Sequence, residues 1–225
     1  MVKVISFSLW GNDSKYTIGA IKNAELAKNF YPDFECWFYI HKDTVPQNII
    51  DELQKKQNVK IIFKEGNITH RGRLWRYEPM CDPSIEIMLS RDTDTRILER
   101  EVIAVNEWID SGKTFHIMRD HPGHSFKVQA GMFGTKKIAN FDWKYMLDNY
   151  VIRNPIFYDQ EIMEDYIYPL IINDCVIHAS FHTVEPHAKP FPTPYDDENR
   201  FVGECIYEDD SRCIYHIILL KNALV

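Results

Sequence analysis

Alternation of apolar and polar positions predicts a β-strand over residues 2–8, rich in β-branched side chains. Ser14 then offers an N-cap for a helix over 14–30, with Ala20, Ala24 and Ala27 on one face and Pro32 beyond its end. An aromatic strand is expected at 34–41. Pro46 suits the first turn of a helix running to about 57, with Ile50 and Leu53 inward. Further strands are expected at 59–64 and 85–90. A helix at 99–110 carries Val102, Val105 and Ile109 on one face and ends at Gly112. Strands alternating with helices need crossover connections, so the first half predicts a largely parallel sheet covered on both faces. Sheets of this kind bind ligands at the carboxyl ends of their strands.

The second half is less regular. Short strands are expected at 114–118 and 126–133, the latter ending around Gly131 and Gly134. Helices are expected at 141–150 and 160–170. Residues 181–194 read as loop, with prolines at 186, 190, 192 and 194. Neither an internal repeat nor a linker interrupts the chain, so 1–225 reads as one domain.

Composition narrows the class. Of 225 residues, 45% are hydrophobic and 26% charged, which is ordinary for a globular protein and excludes disorder. The net charge of -7, without a basic block, argues against nucleic acid as a partner. The longest apolar runs, such as 217–220, fall far short of the ~20 residues of a membrane span. The five cysteines (Cys36, Cys81, Cys175, Cys205, Cys213) lack a CxxC pair. They read as reduced thiols, and with no signal peptide at the start of the sequence they suggest a cytoplasmic protein.

The stretch that changes the picture is Ser90-Arg91-Asp92-Thr93-Asp94-Thr95-Arg96, placed directly after the apolar strand at 85–90. Two carboxylates at i and i+2 can converge on a hard divalent cation if the chain turns there. Mg²⁺ and Mn²⁺ take oxygen ligands and commonly bridge a carboxylate to substrate phosphates. The flanking Arg91 and Arg96 can neutralise the pair or reach phosphate oxygens. The same letters also suit a plain polar turn. An aspartate-nucleophile phosphatase would place such a motif after its first strand, with Thr or Val where Arg96 stands. The pair His121 and His124 is spaced by Pro122 and Gly123, which rule out helical zinc-ligand spacing.

Several stretches together carry a resemblance. They are Leu74-Trp75-Arg76-Tyr77-Glu78-Pro79, the segment from Ser90 to Arg96, Arg100-Glu101, and Glu107-Trp108-Ile109. With them go the segment from Phe115 to Pro122, Ala130-Gly131-Met132-Phe133-Gly134, Tyr158-Asp159-Gln160, Lys189-Pro190-Phe191-Pro192 and Phe201-Val202-Gly203. This ordered set, spanning most of the chain, resembles nucleotide-diphospho-sugar glycosyltransferases of the GT-A type. It is similar in particular to small single-domain glycosyltransferases of large DNA viruses that infect chlorella-type algae.

The resemblance implies an α/β, Rossmann-like, mixed but mainly parallel sheet. Residues 1–98 would form the nucleotide-binding half, and 99–225 the donor-sugar and acceptor half. It implies a metal-dependent hexosyltransferase moving sugar from a nucleotide sugar, UDP-linked by preference, to a glycan or other hydroxyl acceptor. Ser8, Leu9, Trp10 and Tyr16 would hold the nucleotide, beside the turn at Gly11. Arg76 and Lys189 would meet the diphosphate and Thr93 would join the donor-binding residues, whereas Arg71 and Arg73 can equally be solvated. Asp92, Asp94 and His178 would hold Mn²⁺ or Mg²⁺. His178 stands in His178-Ala179-Ser180, where relatives often carry His-Asp-Ser, and His182 is its competitor. Asp159 would be the base toward the acceptor hydroxyl if the reaction inverts, or else a helix N-cap, with Asp120 as second candidate. Gly131 would let backbone approach a ligand. A metal-dependent phosphohydrolase or nucleotidyltransferase shares the carboxylate pair and the sheet. It has little use for the Gly131 segment, the Asp159 helix and the Lys189 turn together.

Overall fold

In the computed structural model, residues 1–68, 70–136, 142–151, 153–154 and 157–224 are described. Seven strands form one sheet: β1 (Val2–Leu9), β2 (Phe34–His41), β3 (Val59–Lys64), β4 (Ile85–Arg91), β5 (Phe115–Arg119), β6 (Met132–Lys136) and β7 (Cys175–Ala179). Their order is β3-β2-β1-β4-β6-β5-β7. β1, β2, β3 and β4 run parallel, and β5 and β7 pair in parallel. β6 is antiparallel to both β4 and β5. The α/β class and the mixed, mainly parallel sheet follow the expectation.

Burial explains the arrangement. Buried strands alternate their side chains between two apolar layers. Ile5, Phe7 and Leu9 join Ile87 and Leu89 on one face, under α1 (Ser14–Phe30), α2 (Gln47–Gln54) and α3 (Glu99–Asp110). Val4, Met88, Ile117, Phe133 and Ile177 face the other way, toward Leu74, Tyr77 and Tyr158. Along α1, Ala20, Ala24 and Ala27 are buried, as their spacing predicts.

Several boundaries differ from expectation. Asp13, not Ser14, caps α1, and its side chain accepts from the Lys15 N–H at 2.9 Å. Pro46 itself is the cap of α2, which stops at Gln54. The strand expected at 126–133 lies later, at Met132–Lys136. Val128 and Ala130 still reach the core, but the Met132 N–H turns back to the Gln129 carbonyl at 2.9 Å. The helix α4 occupies Trp143–Asn149, and residue 141 of its expected range lies outside the described residues. One helix was expected at 160–170. It runs through α5 (Tyr158–Ile162), a π turn (Met163–Ile167) and α6 (Tyr168–Ile171). Among the described residues, four elements have no sequence expectation behind them: the 3₁₀ run His70–Cys81, the 3₁₀ turn Ile172–Asp174, strand β7, and the helix α7 (Ile214–Ala223).

Candidate active site

β1 and β4 are adjacent and parallel, so their carboxyl ends open side by side. Asp92, Thr93 and Asp94 form the turn that leaves β4. Helix α1 buttresses that turn from behind. Asn23 Nδ2 donates to the carbonyls of Thr93 (3.2 Å) and Thr95 (2.8 Å). Gly19 lies so close that a Cβ there would stand 2.1 Å from the Thr93 carbonyl oxygen. The turn is therefore a built backbone feature and not a solvated loop. The Thr93 side chain is buried within it, a correction to the donor-binding role expected of it.

The Asp92 side chain meets Arg76, which reaches over from the 3₁₀ run. Arg76 Nη1 donates to Asp92 Oδ1, and its Nη2 donates to Asp159 Oδ2 at the start of α5. The guanidinium is buried, Asp159 is buried, and the Asp92 side chain keeps 42% of its exposure. Arg76 is placed in turn by its own N–H, which donates to Ser8 Oγ at 3.0 Å. Asp159 sits in the first turn of α5, where the helix dipole favours an anion. The N-cap position belongs to Phe157, so Asp159 is not the cap.

Gly131 backs the same carboxylate: a Cβ there would fall 1.9 Å from Asp92 Oδ2. The missing side chain makes room for Asp92. Ser90 Oγ and Tyr77 Oη both donate to the Ala130 carbonyl, at 2.7 and 3.0 Å, and Gln160 Oε1 accepts from the Ala130 N–H at 2.8 Å. These bonds fix the 130–131 backbone against β4.

Asp94 meets a different cation. Lys15 Nζ lies 3.0 Å from its Oδ2, and the Cys205 thiol donates to the same oxygen at 3.6 Å. Burial raises the Asp94 pKa, and the neighbouring Asp92 charge raises it further against the pull of Lys15. Two carboxylates in one turn, both only partly exposed, create a local demand for positive charge. Burial opposes charge on Lys15, but Tyr16 and Asp94 outweigh it and its pKa rises. Sequence reasoning missed Lys15, Gly19 and Asn23. A residue type at the start or middle of a helix gives no hint of which loop it will touch.

The nucleotide-binding expectations divide. The Trp10 ring packs edge-on to Trp75, with centroids 6.0 Å apart, and Trp75 stacks on His41 at 6.3 Å. Gly11 has φ +77°, and its N–H donates to Thr44 Oγ1 at 2.9 Å. This leaves a strand-end corner lined by aromatic faces and backbone. Tyr16 is partly exposed beside Lys15, whose ammonium lies 4.3 Å from its ring centroid. Leu9 is a correction: it is 1% exposed and belongs to the core, so its side chain is not free for a base.

The metal set expected from the resemblance does not assemble around His178. Ser90, Phe133, Ile117 and Ile177 form one row across the sheet, so His178 points to the face opposite Ser90 and Asp92. β7 also stands three strands from β4, roughly 14 Å at the usual strand spacing. Buried there, His178 Nδ1 lies 2.7 Å from His116 Nε2, and its Nε2 lies 3.4 Å from Glu107. Among the described residues, no group of three His, Cys, Asp or Glu side chains is arranged to hold a metal. His182 turns to the Pro122 carbonyl at 2.7 Å. Lys189 pairs beside β7 and gives its ammonium to Glu107, so it too is held away from the Asp92 turn.

Asp120 is likewise corrected. It is fully buried and accepts from Arg100 through both oxygens at 2.8 Å, from Ser180 Oγ at 2.6 Å and from the Val202 N–H at 2.9 Å. A carboxylate so saturated ties β5 to α3 and the C-terminal loops; it has no capacity left for an acceptor hydroxyl. Arg91 pairs with Glu101 inside the core at 2.7 Å. Arg96 donates to the Tyr207 carbonyl at 3.0 Å, and Arg71 to the carbonyls of Asp148 and Tyr150. Both arginines flanking the motif thus act in the scaffold.

No protein-family model matches the chain, and no curated protein matches it by sequence. Solved structures do match. One is a glycosyltransferase involved in the glycosylation of the major capsid of PBCV-1, with a TM-score of 0.52 and 16% identity over 80% of this chain and 82% of that one. TarS 1-349 of S. aureus gives a TM-score of 0.51 and 17% identity over 80% of this chain and 58% of that one. The galactosyltransferase LgtC, solved with donor and acceptor sugar analogs, gives 0.50 and 13% over 78% of this chain and 73% of that one. The chain therefore has the fold of the GT-A-type glycosyltransferases.

Proposed function

We propose that the chain is a metal-dependent glycosyltransferase that moves a sugar from a nucleotide-diphosphate sugar, UDP-linked by preference, to a hydroxyl of a glycan or other acceptor. The observation that carries this reading is the array Asp159–Arg76–Asp92 beside Asp94, at the carboxyl ends of two parallel strands. The fold shared with glycosyltransferases supports it.

The donor set suits a hard divalent cation. Asp92 and Asp94 offer carboxylate oxygens, Gly131 leaves room beside Asp92, and partial burial disfavours uncompensated charge on Asp94. Two protein carboxylates, without His178, match the habit of Mg²⁺ and Mn²⁺ of taking their other ligands from water and substrate phosphates. When bound, such an ion neutralises charge that develops on the departing diphosphate.

The protein residues supply the rest. Trp10 and the Gly11 backbone offer a face and an edge for the base. Arg76 orients Asp92 and Asp159 together, and Lys15 takes the role at the diphosphate that sequence assigned to Lys189. In transfer the bond from the anomeric carbon to the phosphate oxygen breaks, and its electrons leave with the nucleoside diphosphate. The acceptor oxygen forms the new bond and loses its proton, which in an inverting reaction passes to Asp159. In a retaining reaction Asp159 faces the donor sugar instead.

The test is a screen of UDP-, GDP- and dTDP-sugars for hydrolysis with Mn²⁺, with Asp94→Ala as control. Release of a nucleoside diphosphate that requires both Mn²⁺ and Asp94 supports the reading. A phosphohydrolase would instead cleave the nucleotide's phosphate bonds and leave the sugar 1-phosphate as product.

A further inference from the structure

The segment behind Asp94 carries a second chemistry. Ile206 and Arg212 form an antiparallel bridge that closes a tight hairpin, with the Tyr207 N–H donating to the Ser211 carbonyl at 2.9 Å. Cys205 and Cys213 stand one residue outside that bridge, one on each arm. Arg212 Nε donates to Glu204 Oε1 at 2.6 Å, which puts residues 204 and 212 on one side of the hairpin. Side chains alternate along extended arms, so Cys205 and Cys213 share the other side. Cys213 is in extended conformation just before α7, with φ -66° and ψ 109°. Facing residues of antiparallel arms have Cα atoms about 4.5–5.5 Å apart, inside the roughly 4.4–6.8 Å that a disulfide spans. Both cysteines are partly exposed.

We propose that Cys205 and Cys213 form a redox-modification site that a low-molecular-weight disulfide of the glutathione class converts to an intramolecular disulfide. The Cys205 sulfur lies against Asp94 Oδ2 at 3.6 Å, so Cys213, on the outer arm, makes the first attack. Its thiolate breaks the sulfur–sulfur bond of the oxidant, forms a mixed disulfide and releases one thiolate. Cys205 then attacks the Cys213 sulfur and expels the second. Two protein thiols lose two electrons, the oxidant gains them, and the two thiol protons end on two reduced glutathiones. The bond closes the hairpin and takes the thiol away from Asp94, whose main-chain oxygen still accepts from the Ile206 N–H at 2.8 Å. Cys36 and Cys175 are buried and stay out of the exchange, whereas the exposed Cys81 lacks a facing thiol.

The test treats the whole folded chain with glutathione disulfide and maps its peptides by mass. Modification of Cys81 shows that the reagent has acted. The expected result is a peptide pair joined through Cys205 and Cys213, lighter by two hydrogens than the sum of the two reduced peptides. In Cys205→Ser the pair vanishes and a stable glutathione adduct stays on Cys213. Cys81 modified while Cys205 and Cys213 stay reduced, or carry separate adducts in the unsubstituted chain, would overturn the proposal. The readout is independent of sugar transfer, so it stands or falls apart from the function proposed above.

Discussion

Asp92 and Asp159, from opposite halves of the chain, are held by the two terminal nitrogens of one guanidinium, that of Arg76. A planar fork can serve two carboxylates at once; an ammonium on a flexible stem cannot hold both in fixed relation. Removing the fork leaves Asp159 buried without its cation. Arg76→Ala is expected to lower stability by about 3 kcal/mol, the range for breaking a buried pair. Arg76→Lys should recover part of that stability while nucleotide-sugar turnover stays low. Urea unfolding alongside donor hydrolysis checks both statements, and unchanged stability in Arg76→Ala would refute the first.

Two glycines separate positioning from folding. At Gly131 an added methyl meets the end of the Asp92 side chain, which can swing aside. Gly131→Ala should therefore cost less than about 1 kcal/mol of stability. It should nonetheless cut donor turnover on the order of 100-fold, as an ångström of misplacement can. At Gly19 the methyl meets the Thr93 backbone oxygen, which cannot swing aside. Gly19→Ala should destabilise by roughly 1–3 kcal/mol through overpacking. Thermal melts and initial rates on the two variants decide whether the order holds.

Asp120 and Asp159 should fail in different ways. Asp120→Asn leaves Arg100 with a weaker partner deep in the fold, and a loss on the order of 3 kcal/mol is expected. Asp159→Asn leaves Arg76 its Asp92 partner, so the stability loss should be smaller and the effect read in the rate: kcat falls by on the order of 100-fold if it serves as base. Equal stability losses with equal rate losses would contradict the separate roles.

The buried histidines predict a pH dependence. Burial pushes the His178 pKa from 6.5 down to about 4, and the nearby Lys189 and Arg100 push the same way, against Glu107. His116 is also held well below its usual range by burial and by His178. A histidine with a depressed folded pKa binds its proton in the unfolded chain first. Stability is thus complete above about pH 6.5 and is lost as pH falls toward 4, by a few kcal/mol across that window. Urea titrations between pH 7.5 and 4.5 should show it, and His178→Asn should flatten part of the slope.

Much of the fold was legible, for physical reasons. β2, β3 and α3 begin and end where their patterns predict because each alternation is bounded by a clear stop. β6 was placed too early because Val128 and Ala130 are apolar and buried without being paired. α7 left no pattern, since Ile214, Tyr215 and Ile218 are exposed and no amphipathic stripe marks it. In the site, Asp92, Asp94, Arg76 and Asp159 were legible because carboxylates and a guanidinium stand out at strand and helix ends. His178 was misplaced because its facing depends on strand parity, and β7 itself had not been identified. That Lys15 lies at Asp94 while Lys189 lies at Glu107 leaves no trace in local sequence.

The proposed function turns on a nucleoside diphosphate held at the Asp92–Asp94 turn through a divalent cation. Calorimetric titration of UDP into the chain with Mn²⁺ tests it most directly. The expected result is binding with Mn²⁺, a loss of at least tenfold in affinity with EDTA, and a similar loss in Asp94→Ala that still melts cooperatively. UDP binding of equal strength with EDTA, or in a folded Asp94→Ala, would contradict it.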